Sequence, residues 1–132
     1  MMKAIRAVAD AVTCLALIYG APAYAAEWVY VNKTSSGAFM YIDAKTIQRE
    51  GDHVTVWERW DLSRDKATKE RQRIVLNRYD CIARTSTVIS LIVYYPDGTS
   101  QSTDRKPYEQ EALRIVPGSM AEFTMEALCP VK

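Results

Sequence analysis

Several shortages narrow the field before any pattern is read. The chain has one histidine, His53. A single imidazole leaves little to build a Ser-His-Asp triad with, and no Gly-x-Ser-x-Gly elbow occurs. Three cysteines without Cys/His ligand spacing, and no carboxylate cluster around His53, argue against a zinc site. Glycine is sparse, at five residues, and none forms a phosphate-cradling loop. Beyond residue 25 no run is apolar enough to span a membrane. The expectation is therefore a non-enzymatic chain with no catalytic residue, no metal site and no cofactor. His53, beside Asp52 at the start of a strand-like run, reads as a surface histidine, with haem ligation as the other option. Glu58 and Asp61 are the carboxylates nearest one another on a strand-like run, and both are expected to point outward.

The N-terminus reads as an export signal covering residues 1–25. Lys3 and Arg6 form a basic start, Ala7 to Ala21 is mostly apolar apart from Asp10, and Ala23-Tyr24-Ala25 offers small-x-small cleavage chemistry. Thr13 stands where a lipid-attachment signal at Cys14 requires a small residue, so the mature chain is expected to carry no lipid anchor. Cleavage leaves residues 26–132 as one domain. Of 17 basic and 16 acidic side chains, removing Lys3, Arg6 and Asp10 leaves 15 of each sign. A neutral chain gives no bulk electrostatic reason to bind nucleic acid. Two cysteines remain, Cys81 and Cys129, and in an exported small domain two cysteines read as one disulfide.

Six segments have the alternation and β formers of strands, at 27–32, 38–43, 53–61, 70–81, 85–95 and 100–102. In the fifth, Thr87, Ile89, Leu91, Val93 and Tyr95 share the face expected to be buried. Residues 43–49 read as a turn, and 106–116 as irregular. Pro117-Gly118 then breaks the chain before a short helix. Ser119 suits the N-cap, with Glu122 three residues on to reach back to its N–H in a capping box. Met120, Phe123, Ala127 and Leu128 fall on one face, and Pro130 stops the helix after Cys129. About ten residues do not hold a helix in water, so this one must dock. The fold class is α+β: a single antiparallel sheet of about six strands, with one C-terminal helix packed on one face and linked by a disulfide.

One asymmetry of charge is present. Between residues 58 and 78, Arg59, Arg64, Lys66, Lys69 and Arg71 gather on an expected hairpin, interleaved with Trp57 and Trp60. Arginine and tryptophan together favour protein contacts, so the hairpin is a candidate partner-binding element. The same charges also suit a solvated hairpin that guards a sheet edge.

Short motifs in order then carry a resemblance: Tyr41-Ile42-Asp43 ahead of Ile47, Val54-Thr55-Val56-Trp57, Tyr79-Asp80-Cys81 with Arg84-Thr85, Tyr95 ahead of Asp97-Gly98, Pro117-Gly118-Ser119 and the final Cys129. The chain resembles the surface-adhesin protein E family of Gram-negative exported proteins. The resemblance implies a curved sheet with its helix pinned by the disulfide. It implies adhesion to host matrix and serum proteins, and in the family's founding member haem binding as a dimer. Expected partners are thus proteins, host extracellular-matrix proteins among them, and a dimer is an open option. The expected location is the periplasm or the outer surface. A second expectation is a periplasmic accessory protein of an envelope complex, with no host ligand.

Overall fold

The computed structural model describes residues 25–130; the expected signal, with Cys14, lies outside the described residues apart from Ala25. Its strands are β1 (Trp28–Lys33), β2 (Phe39–Asp43), β3 (Gln48–Glu50), β4 (His53–Asp61), β5 (Gln72–Asp80), β6 (Thr85–Tyr94), β7 (Ser100–Asp104) and β8 (Leu113–Arg114), followed by helix α1 (Met120–Leu128). Period-two alternation explains the centre. Val54, Val56 and Glu58 on β4 and Val75, Asn77 and Tyr79 on β5 are buried, while their sequence neighbours are not. The two strands pair antiparallel along their whole length, from His53 opposite Asp80 to Asp61 opposite Gln72.

The main path of the sheet is β1-β2-β4-β5-β6-β7, with β3 added beside β4 and β8 beside β6. Among the described residues there are thus eight strands where the alternation suggested about six. The two additional strands are three and two residues long and exposed at every residue, so no buried side chain marks them in the sequence. They split both flanks of the central β4-β5-β6 unit. β2 borders the second half of β4 and β3 the first. β7 borders the second half of β6 and β8 its first two residues. Each seam between half-strands is bridged by one hydrogen bond. The Trp57 N–H donates to Thr46 Oγ1 at 3.3 Å, and the Arg105 N–H to the Ile89 carbonyl at 2.8 Å.

β6 departs from simple alternation. Leu76 pairs with Ser90 and Asn77 with Val88, which leaves Ile89 as an extra residue in a β-bulge. An inserted residue flips the phase of everything beyond it. Leu91 and Val93 therefore share the side of Val75, whereas Thr87 lies opposite Arg78 on the other side. The single face expected from Thr87 to Tyr95 is two half-faces, and Tyr95 lies in the following turn, where its N–H donates to the Thr99 carbonyl.

Helix α1 covers one side of the sheet. Its entry is a turn in which the Val116 carbonyl accepts from the Ser119 N–H at 3.1 Å, with Pro117 and Gly118 at the corner. Gly118 has φ +79°, the left-handed geometry that the third position of a type II turn requires. Ser119 Oγ caps the helix by accepting from the Glu122 N–H at 3.3 Å. The Glu122 carboxylate reaches back one residue further than the capping-box pattern expects, to the Gly118 N–H at 3.2 Å, because the Ser119 N–H already serves the turn. At the far end Arg49 donates to the Leu128 carbonyl, satisfying one of the open acceptors.

The buried stripe of α1 is Thr124, Met125 and Leu128, with Met120 and Ala121 partly covered. Phe123, at 43 % exposure, and Ala127 are turned outward, against the face expected from sequence. The Cys81–Cys129 disulfide accounts for the rotation, with its Cα atoms 5.8 Å apart. Met125 and Ala121 stand four and eight residues before Cys129, so fixing Cys129 against the sheet brings that row inward. Beneath it the core holds Met40, Ile42, Val54, Val56, Tyr79 and Ile115. Closing 48 positions by the bridge contributes on the order of 4 kcal/mol in the chain-entropy account.

Candidate binding surface

Residues paired across an antiparallel sheet point the same way, so the register separates two faces. On β4, Val54, Val56, Glu58 and Trp60 face the helix. Thr55, Trp57, Arg59 and Asp61 face away. The two tryptophans expected together on a hairpin are thus split. Trp60 packs against the core, and Trp57, opposite Leu76, belongs to the uncovered face. An odd spacing of three within one strand requires this.

Glu58 is the clearest correction to the sequence reading. It is 2 % exposed and lies inside, not outward. Tyr79 Oη donates to Glu58 Oε2, and Asn77 Nδ2 approaches Glu58 Oε1 at 3.5 Å and Tyr79 Oη at 3.3 Å. Burial pushes the Glu58 carboxyl up to about 7, against the lowering effect of these hydrogen bonds. Tyr79 is held well above its ordinary value, by burial first and by the adjacent Glu58 second, so it stays a donor. The cluster sits under α1 and stitches β4 to β5. Asp61 does lie on the uncovered face, and there it accepts from the Ser63 hydroxyl at 2.6 Å. That bond, more than the nearby Arg59 and Arg64, holds its carboxyl below the usual range.

The uncovered face carries an aromatic quarter where β1, β2 and β4 meet. The β1–β2–β4 register sets Tyr30 opposite Tyr41, Trp28 opposite Asp43 on the same face, and Tyr41 opposite Arg59. Tyr30 stands 5.7 Å from Tyr41 in an edge-to-face arrangement and 6.4 Å from Phe39, both within the range of favourable ring pairs. The Arg59 guanidinium lies 4.5 Å from the Tyr41 ring and 5.2 Å from the Trp28 ring. Arg64 follows the same row, 6.0 Å from Phe39. Both distances for Arg59 are cation–π distances. None of these side chains joins the buried core, and Tyr30 is 50 % exposed.

The β4–β5 loop rises beside this quarter. Arg64, Lys66, Lys69 and Arg71 are all exposed on it. The loop is seated on the β1–β2 turn: the Lys66 N–H donates to the Ser36 carbonyl at 3.2 Å. Gly37 permits the approach, since a Cβ there would lie 2.4 Å from the Arg64 carbonyl oxygen. On the other side a cleft of about 710 Å³ separates the loop from the β6–β7 turn. Lys69 and Arg71 line it together with Asp65, Glu70 and Asp97, so their charge is locally balanced. The structure therefore brings Trp57, Arg59 and Arg64 onto one face, sends Trp60 into the core, and leaves Lys66, Lys69 and Arg71 on the loop. Trp28, Tyr30, Phe39 and Tyr41 were not among the expected binding residues, Tyr41 having entered only in the Tyr41-Ile42-Asp43 motif. Each pair is spaced by two within a strand, which was the available signal.

Among the described residues no cluster of His, Cys, Asp or Glu could hold a metal ion. His53 is exposed at the start of β4, with Nε2 3.5 Å from Asp80 Oδ2. No helix among the described residues is long and apolar enough to cross a membrane.

An open antiparallel sheet, capped on one side by a disulfide-tethered helix and presenting aromatic rings on the other, defines an α+β class of architecture. The particular family follows from comparison: residues 28–130 match the model of the surface-adhesin protein E family, and the chain belongs to that family. No curated protein and no solved structure matches it.

Proposed function

We propose that this chain is an exported, non-enzymatic protein-binding domain of the adhesin E type. Membership of a surface-adhesin family supports binding as the role. The observation that carries the reading is the aromatic quarter of Trp28, Tyr30, Phe39 and Tyr41 around Arg59, on the face that α1 leaves uncovered. Rings and arginine are the side chains that dominate protein interfaces, and the exposed β4–β5 loop adds a basic rim. Host matrix and serum proteins are the proposed partners. The mature chain is proposed to act without a lipid anchor, either outside the cell or in the periplasm. Thr13 ahead of Cys14 favours a second reading, in which the chain stays in the periplasm and its partner belongs to an envelope complex.

Two measurements test this together. Fractionation locates the mature chain, and a pull-down offers it matrix proteins and envelope extract in parallel. Capture of a matrix protein by surface-exposed material is the expected result. A chain confined to the periplasm that captures only envelope proteins would select the second reading. Capture of nothing from either source would remove both.

A further inference from the structure

The uncovered face holds a cation whose chemistry is incomplete. Arg59 Nε is buried and has no hydrogen-bond partner among the described residues. The ion pairs among those residues are His53–Asp80, Arg73–Glu70 and Arg84–Glu122, and Arg59 takes part in none of them. The acids nearest it on the face are engaged elsewhere: Asp61 accepts from the Ser63 hydroxyl and backbone N–H, and Asp43, opposite Trp28, accepts from the Glu27 and Lys45 N–H groups. A guanidinium clamped between the Trp28 and Tyr41 rings is pre-set in orientation, so little side-chain freedom is lost when it receives an anion. Nε is enclosed behind the rings, and the two Nη nitrogens, which take part in no hydrogen bond or ion pair among the described residues, are the donors that a carboxylate can receive in paired hydrogen bonds.

The geometry points to a carboxylate-bearing, aromatic-containing peptide segment as the ligand of this quarter, its acid taken by Arg59 and its ring packed among Trp28, Tyr30, Phe39 and Tyr41. This rests on the protein-binding reading and names the partner's chemistry. A sulfated polysaccharide fits less well. Its repeating charge needs a continuous basic track, and here Asp61, Asp65 and Glu70 interrupt the run from Arg59 to Arg71. A single oriented guanidinium inside an apolar frame suits one acid beside one ring.

The test uses the mature chain and three probes: a random glutamate–tyrosine copolymer, a glutamate homopolymer and heparin. The copolymer is expected to bind best. Arg59→Gln should weaken that binding about tenfold or more, as removal of a central interface arginine does. Arg59→Lys keeps the charge but loses the planar fork, and should weaken it several-fold, about three to five times. Tyr41→Leu should act in the same direction, while Arg105→Gln, the same change of charge beyond β7 at the opposite edge, should stay within about twofold. Circular dichroism and the melting midpoint check each fold, and Arg59→Lys serves if the glutamine variant does not fold. Equal binding of homopolymer and copolymer would overturn the inference, since the rings would then do nothing. So would preference for heparin, no copolymer binding, or full binding by the Arg59 variants. Repeating the protein pull-down with Arg59→Gln separates the two levels. If the parent captures a protein and the variant captures it equally, only the Arg59 assignment fails. If the parent captures none, the protein-binding reading fails.

Discussion

Glu58 and Arg59 are neighbours in the chain and opposites in the fold. Glu58 points under α1, where Tyr79 and Asn77 hydrogen-bond it and burial raises its pKa to about 7. Arg59 points to the uncovered face, where it lies among rings and leaves a donor unpartnered. The covered face ties its carboxylate into hydrogen bonds, as a charge sealed from water requires, and leaves only the neutral Asn77 Oδ1 without a partner. On the uncovered face the unpartnered atom belongs to a cation. The contrast separates what holds this sheet together from what it can offer to another molecule. Changes on the covered face should move stability, and changes on the other face should move binding.

The largest expected effect is on the covered side. Cys81→Ser removes the tether of α1 and should lower the melting midpoint by about 20 °C, taking about 4 kcal/mol spread over a domain of this size. Thermal unfolding followed by circular dichroism measures it. A variant that melts with the parent would show that packing of Met125 and Leu128 alone holds the helix.

Glu58 gives the next effect, and its sign is set by the raised pKa. The folded carboxyl titrates near 7 and the unfolded one at its ordinary value of 4.5, so the folded state holds the extra proton between these limits. Stability should therefore fall as pH rises from 4.5 to about 7, by roughly 3 kcal/mol, and level off above. Asp61, Asp80 and Asp97, whose pKa values lie below 3.8, act in the other direction, with stability lost as pH falls through that lower range. Urea unfolding across the pH series should show the slope in the parent and a nearly flat line in Glu58→Gln. A parent with no slope between those limits would mean that water reaches the Glu58 cluster.

Gly37 tests how the two faces are joined at the loop. Its φ of +108° and the 2.4 Å approach to the Arg64 carbonyl leave no room for a methyl group. Gly37→Ala should cost about 1–3 kcal/mol and displace the β4–β5 loop, so that Arg64 leaves Phe39. Chemical unfolding reads the first, and faster proteolysis of residues 62–71 reads the second.

The smallest effect on stability belongs to the rim. Neutralising Arg64, Lys66, Lys69 and Arg71 together should change stability by no more than about 0.5 kcal/mol for each exposed site. It should weaken partner binding in a salt-dependent manner. A large loss of stability would blur the division between the faces, and unchanged binding would remove the loop from the contact surface.

The legible parts of this fold were those that bury side chains at a regular period. β4 and β5 alternate, the turn at Pro117-Gly118 has its own chemistry, and Cys81 and Cys129 were the two cysteines left beyond the expected signal. β3 and β8 were illegible because none of their side chains is buried. The bulge at Ile89 depends on which residue of β5 lies opposite, and local sequence does not contain that register. Glu58 was misread although its phase was visible: it follows Val54 and Val56 at a spacing of two. Charge outweighed period in that reading, and here period prevailed because Tyr79 and Asn77 supply hydrogen bonds from the next strand. The aromatic quarter required knowing that β1, β2 and β4 lie side by side. Only then do Trp28, Tyr41 and Arg59, far apart in the chain, become one surface.

The split flanks give the sheet soft joints. At one joint a lone threonine hydroxyl stands in for a strand, and Trp57 hangs its amide on it. Deuterium should enter at that amide sooner than at its neighbours within β4 and β5. The rate would then report how freely the ring-bearing flank swings against a stiff three-stranded spine, and so how much an incoming guest can reshape its own berth.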